Sequence, residues 1–160
     1  MRHVSLDALI PAEKADTVFD AVRRWERYPD LAPHVNKTTV HGTYPDPNAS
    51  SSWELHFRSG LLRWTEDDVF HPERGEIHFE QSDGDFDSFT GAWSIVQADQ
   101  GVAVRFDADF DFGIPSLEGI LDPIAERVIK ETVAWALTGL FPGVRFQDGI
   151  ELTEPAAVGA

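Results

Sequence analysis

The segment Val102–Phe112, VAVRFDADFDF, alternates between apolar and polar or charged side chains almost without a break. Val102, Val104, Phe106, Ala108, Phe110 and Phe112 share one face, with Arg105, Asp107, Asp109 and Asp111 on the other. Successive side chains of a strand point to opposite sides, so this pattern requires a sheet with one wet face and one face covered by something apolar. Shorter stretches repeat it. Val4, Leu6, Ala8 and Ile10 alternate with His3, Ser5 and Asp7. Val35 to Tyr44, Trp53 to Arg58, Leu62 to His71, Ile77 with Phe79, and Phe89 to Ile95 read as further strands. They are joined by turn chemistry: PDPNASSS from Pro45, Ser59-Gly60, SDGDFD from Ser82 and Asp99-Gln100-Gly101.

The last third of the chain supplies the cover. An apolar-rich helix is expected from about Leu117 to Leu140, with Ser116 as its N-cap and Gly139 and Pro142 marking its stop. At 1.5 Å per residue it is about 36 Å long, enough to cross the sheet of a domain this size. After the first strand, closed by Pro11, the residues Ala15, Val18, Phe19, Val22 and Trp25 recur at helical intervals until Pro29 and Pro33 break the pattern. The plan is α+β, one domain in which a curved sheet wraps a helix.

Three stretches carry a resemblance: VFDAVRRWERYPDLAP from Val18, GDFDSFTGAWSI from Gly84, and RFDADFDFGIPSLEGILDPIAERVIKETVAWAL from Arg105. In order and spacing they resemble the START/Bet v1-like (SRPBCC) superfamily, specifically its polyketide cyclase/dehydrase and coenzyme Q-binding branch. The likeness spans nearly everything from His3 to Leu140. It implies a helix-grip fold: an antiparallel sheet of about seven strands around the long C-terminal helix, with two short helices after strand 1. A START-like ligand-binding domain is expected over residues 1–141, followed by a flexible tail over 142–160, where periodicity is weak. Superfamily members include lipid and quinone carriers, polyketide aromatases and cyclases, plant-type ligand binders and antibiotic self-resistance proteins. Fold alone does not choose among them.

Composition narrows the choice. Twenty-eight acidic residues against thirteen Lys plus Arg give a formal charge of −15, which repels nucleic acid and anionic bilayers. A nucleic-acid partner and stable membrane association are therefore not expected, and a ribosome-associated role ranks last. With no cysteine there is no disulfide, thiolate ligand or Cys nucleophile. The N-terminal MRHVSLDALIPAEKAD lacks a long apolar run, so a cytoplasmic monomer or weak dimer is expected. The motifs of serine hydrolases, P-loop proteins and dinucleotide enzymes do not occur, nor does zinc-ligand spacing, and no cofactor or metal is called for.

If the apolar faces point inward, a cavity is lined by Trp25 or Tyr28, Trp53, Leu55, Phe57, Trp64, Phe89, Trp93, Phe106, Phe110, Ile124, Val128 and Trp135. Such walls suit a flat, hydrophobic, polycyclic or polyketide-like ligand. The same residues also make an ordinary core.

The strand Leu61–Phe70, LLRWTEDDVF, puts Glu66 and Asp68 on the face of Trp64 and Phe70. Inside an apolar cavity, desolvation and mutual repulsion raise at least one of the two pKa values, which is acid/base equipment for aldol cyclisation and dehydration. In the opposite register, or at an open sheet end, the pair would only be solvated. The resemblance implies a pocket arginine on this strand in aromatase/cyclases, whereas this sequence offers Asp68 there and turns Arg63 away. Among six histidines, His34, after Tyr28-Pro29, is the candidate proton shuttle at the cavity entrance. Two functions follow. One is a polyketide cyclase, aromatase or dehydrase of natural-product biosynthesis using Glu66 and Asp68. The other is a non-catalytic carrier or sequestering protein for a quinone, lipid or antibiotic.

Overall fold

In the computed structural model, which describes residues 1–150 and residue 152, the alternating segments pair into one antiparallel sheet of eight strands. They are β1 (Arg2–Pro11), β2 (Val35–Gly42), β3 (Ser50–Phe57), β4 (Gly60–His71), β5 (Glu76–Gly84), β6 (Ser88–Ala98), β7 (Gly101–Asp111) and β8 (Arg145–Phe146). Their order across the sheet is β2-β3-β4-β5-β6-β7-β1-β8. β1 joins the far side of β7 in unbroken register, from Arg2 opposite Phe110 to Pro11 opposite Gly101. This is the helix-grip arrangement expected from the sequence, with one more strand.

The apolar face of the sheet is covered by α1 (Ala15–Val22), a 3₁₀ turn (Trp25–Arg27), α2 (Tyr28–Leu31) and α3 (Glu118–Leu140). α1 buries Val18, Phe19 and Val22, its i, i+1, i+4 stripe. It ends at Val22, short of the expected length, and the chain tightens at Trp25–Arg27 so that Trp25 and Tyr28 both turn inward. Pro29 falls in the first turn of α2, where a missing N–H breaks no helical bond.

α3 runs the length of the sheet and is buried on more than one side: Ala125, Val128, Ile129, Thr132, Val133, Ala134, Ala136 and Leu137 are all covered. Its start differs from expectation. Pro115–Leu117 form a 3₁₀ turn, Leu117 holds the cap position, and no side chain caps the helix, so Ser116 is not the N-cap.

Part of the segment expected as tail pairs with the sheet. β8 pairs with β1, placing Ala8 opposite Phe146 and Leu9 opposite Arg145, and the Gln147 amide donates to the Asp7 carbonyl at 3.1 Å. Val144, Phe146, Ile150 and Leu152 pack against the core. Two paired residues are too few to show a period in sequence, which is why this strand reads as loop. The remainder of the expected tail lies outside the described residues.

Candidate ligand cavity and its carboxyl pair

β4 sets the site. Leu62, Trp64, Glu66 and Asp68 are buried while Arg63, Asp67 and Val69 face water, so Glu66 and Asp68 lie on the inner face of the sheet. Pairing of β4 with β3 brings Ser51 opposite Glu66 and Trp53 opposite Trp64. The 3₁₀ turn and α2 deliver Trp25 and Tyr28 from above, β5 and β6 bring Phe79, Phe89 and Trp93, β7 brings Phe106, and α3 closes the space with Ile129, Thr132 and Val133.

Inside this enclosure the rings pack on one another. Trp53 and Trp64 are parallel with centroids 6.1 Å apart, and Trp25 meets Tyr28, Trp53 and Trp93 at 5.4, 5.7 and 6.4 Å. The cavity left among them has a volume of about 50 Å³. Since one water needs about 10–15 Å³ on this measure, it holds roughly four water-sized bodies, a single small group rather than a fused-ring system.

Glu66 is the ionisable group on the wall with a carboxyl directed at this space. The Trp64 indole N–H donates to Glu66 Oε1 at 2.8 Å. Asp68 stands behind it, outside the wall, where the Ser51 hydroxyl donates to Oδ2 at 2.7 Å and itself accepts the Trp53 indole N–H at 3.0 Å. Burial pushes the Glu66 carboxyl well above the usual carboxylate range, and the adjacent Asp68 pushes it further, against the opposing pull of Trp64. Burial also raises Asp68, opposed by Glu66, Ser51 and Trp25. Asp68 Oδ1 and Trp25 Nε1 are buried with no hydrogen-bond partner among the described residues. Each carboxyl shifts the pKa of the other, so the two titrate as a pair.

The remaining candidates fall in different places. Tyr28, Trp53, Leu55, Trp64, Phe89, Trp93 and Phe106 line the cavity together with Trp25. The Tyr28 hydroxyl is engaged with the Val22 carbonyl at 2.8 Å, so it is a packed ring rather than a free donor. Phe57 lies outside the wall because it packs on Phe112 at 6.0 Å. Phe110 is wholly buried against Phe86 and Phe112 instead. Ile124, Val128 and Trp135 are not on the cavity wall, to which α3 contributes Ile129, Thr132 and Val133. His34 is not at an entrance. It is buried, and its Nε2 meets Glu131 Oε1 on α3 at 2.9 Å.

Sequence reasoning missed Phe79 and the α3 stripe. Phe79 was in view as a strand residue, and its period-two partnership with Ile77 was the available signal. Among the described residues no cluster of three or more His, Asp or Glu is placed to hold a metal ion, and no helix is long and apolar enough to cross a membrane.

A curved antiparallel sheet gripping a long helix over an internal apolar cavity defines a helix-grip protein of the START/Bet v1 kind. The family model for polyketide cyclase/dehydrase and lipid transport matches residues 11–137, and the chain belongs to that family. No curated protein matches it significantly. Among solved structures it is similar to the protein TTHA0849 from Thermus thermophilus, with 23% identity, coverage of 88% of this chain and 95% of that one, and a TM-score of 0.76. A START superfamily protein from Mycobacterium smegmatis follows the same fold at 20% identity, 88% and 97% coverage and a TM-score of 0.71. The Zhui aromatase/cyclase from Streptomyces sp. R1128 does so at 18% identity, 88% and 92% coverage and a TM-score of 0.67.

Proposed function

We propose that this protein binds a hydrophobic, polyketide-like small molecule in the aromatic cavity and moves a proton on it, as a cyclase or dehydrase of natural-product biosynthesis. The observation that carries the reading is the Glu66–Asp68 pair: a buried carboxyl group on the wall of a largely aromatic cavity, backed by a second carboxyl and pushed by burial well above the usual carboxylate range. Such a group can protonate a departing hydroxyl, which leaves as water, and the Glu66 carboxylate so formed can take the proton lost from the adjacent carbon, which restores the acid, with Asp68 behind it tuning its basicity. Glu66 is then the catalytic residue and Asp68 its positioning partner. Family membership and the fold shared with an aromatase/cyclase support this assignment.

A second reading, a non-catalytic binder, is favoured by the cavity itself. A volume of about 50 Å³ is far below the roughly 300–1,000 Å³ typical of drug-sized ligand sites, and the wall carries no arginine to anchor a polyketide. A large ligand enters only if the tryptophan cluster or α3 moves.

The deciding experiment follows tryptophan fluorescence while aromatic polyketides, quinones and fatty acids are added, and then weighs the recovered ligand by mass spectrometry. Saturable binding with a changed mass supports the enzyme, with turnover falling about 10²–10⁴-fold in Glu66→Gln as expected for loss of an acid catalyst. Saturable binding of unchanged ligand makes the protein a carrier or sequestering protein. Turnover unaffected in Glu66→Gln removes the catalytic assignment.

A further inference from the structure

The cavity wall carries one carboxyl group, Glu66, backed by Asp68, and no cation. Its lining residues include no lysine, arginine or histidine. The titratable groups around Glu66 are Asp68 and the outward-facing Asp67 on its own strand and Tyr28 from α2. From α3 comes Thr132, whose hydroxyl is engaged with the Val128 carbonyl, next to Glu131 in its pair with His34. No other described group supplies the positive charge that a buried, ionised carboxylate ordinarily finds.

The rest of the enclosure has the same preference. Aromatic rings present a negative face, and cations are attracted to it, most strongly by indole and most strongly where water is absent. Trp25, Trp53, Trp64, Trp93 and Tyr28 surround the space with ring centroids 5.3 to 6.4 Å apart along their contacts. The volume admits one compact group of a few heavy atoms. An anion is repelled by the Glu66–Asp68 pair. A neutral group gains contact area but leaves the carboxyl pair obliged to keep its proton. A compact cation gains from the rings and from Glu66 together, and it takes the place of that proton.

We propose that the group received against Glu66 is an alkylammonium, a protonated or quaternary amine. It is either a small free amine or the amine end of a larger hydrophobic ligand. This rests on the aromatic cavity being the ligand site, which both readings above share, and it holds whether or not the ligand is turned over. Binding is accompanied by release of a proton from the Glu66–Asp68 pair, so affinity rises with pH, by up to about tenfold per unit where one proton is exchanged.

The test uses the whole protein and tryptophan fluorescence, with tetramethylammonium and hexyltrimethylammonium chlorides as probes. tert-Butanol serves as the neutral group of similar size, and sodium chloride controls for ionic strength. Saturable binding of either ammonium, tightening from pH 6 to pH 8, with no saturation by tert-butanol or sodium chloride, is the expected result. Tighter binding of the hexyl compound assigns the site to the end of a larger ligand, and equal binding assigns it to a small free amine. Glu66→Gln, which keeps the shape and removes the charge, is expected to weaken ammonium binding at least tenfold. If that variant does not fold, the wild-type contrast between ammonium and tert-butanol decides.

Equal response to tert-butanol, pH-independent affinity, or undiminished ammonium binding by Glu66→Gln overturns the proposal. A neutral aromatic ketone or quinone that saturates the protein while neither ammonium does removes this inference and leaves the ligand site standing. Silence from every probe removes both.

Discussion

The Trp64 indole donates to Glu66 Oε1 across two residues of the same strand, at 2.8 Å. Positions i and i+2 of a strand share a face, so an aromatic residue two before an acid can hold one carboxyl oxygen without help from elsewhere in the fold. The neighbouring strand repeats the device, with the Trp53 indole bonded to the Ser51 hydroxyl at 3.0 Å. These parallel tryptophans orient the two halves of the carboxyl pair from below, and burial does the rest.

Because burial raises both carboxyls in the folded state, the pair makes stability depend on pH in a known direction. A raised carboxyl contributes fully below its unfolded pKa, near 4, and the contribution is lost as pH rises toward the folded value. The wild type therefore loses stability relative to Glu66→Gln as pH increases above about 4, by up to about 1.4 kcal/mol per pH unit for one proton. Urea denaturation of both proteins at pH 4.5, 6 and 7.5 measures the difference, which must grow with pH. A constant difference contradicts the buried, protonated pair.

Ser51 supplies the hydroxyl that favours the Asp68 anion, and it is itself wholly buried. Ser51→Ala leaves Asp68 Oδ2 and the Trp53 N–H without that partner, at a cost of about 1–3 kcal/mol. The loss is larger at pH 8 than at pH 5, because the ionised form of Asp68 needs the donor more. Denaturation at the two pH values checks this, and an equal loss at both indicates that the hydroxyl serves Trp53 alone.

Much of this was legible in the sequence, for a physical reason. Period-two alternation survives burial when one face is wet, so β1, β4, β6 and β7 and the inner face of β4 read directly from residue type. α3 did not yield in the same way. It is buried on several sides, so its apolar residues mark no single stripe, and the cavity face at Ile129, Thr132 and Val133 could not be separated from Ile124, Val128 and Trp135. His34 misled for another reason. A histidine in a loop reads as accessible, and its partner Glu131, 97 residues away in sequence, exists only once α3 is docked. The cavity's size was likewise invisible, because it depends on how the tryptophans pack against one another.

Gly91 on β6 lies opposite Phe79 on β5, whose ring covers it. A Cβ there would stand 2.4 Å from the Asp107 carbonyl oxygen and 2.5 Å from Phe79 Cζ. The oxygen belongs to the backbone of β7 and cannot turn aside, and the Phe79 ring, which lines the cavity, has to shift. Gly91→Ala is expected to destabilise the protein by about 1–3 kcal/mol, as overpacking does. It should also shift the fluorescence of Trp93 and Trp64 as Phe79 is displaced. Wild-type stability with an unchanged spectrum would show that β6 and β7 separate freely at this point.

The His34–Glu131 contact ties the start of β2 to the middle of α3, with both side chains nearly wholly buried. Removing one partner leaves the other buried without its bond, so His34→Ala and Glu131→Ala are each expected to cost about 2–5 kcal/mol. Replacing both by leucine removes the unmet polar group together with the bond, and apolar pairs substitute for buried polar ones at little net cost. The double variant His34→Leu/Glu131→Leu is therefore more stable than either single alanine variant. If the contact serves only to hold α3 in place, the double variant also retains wild-type ligand binding, since neither residue touches the cavity. Denaturation of the singles and the double, with ligand titration of the double, separates these effects. A double variant less stable than both singles would show that the pair itself, and not just its completeness, holds the helix against the sheet.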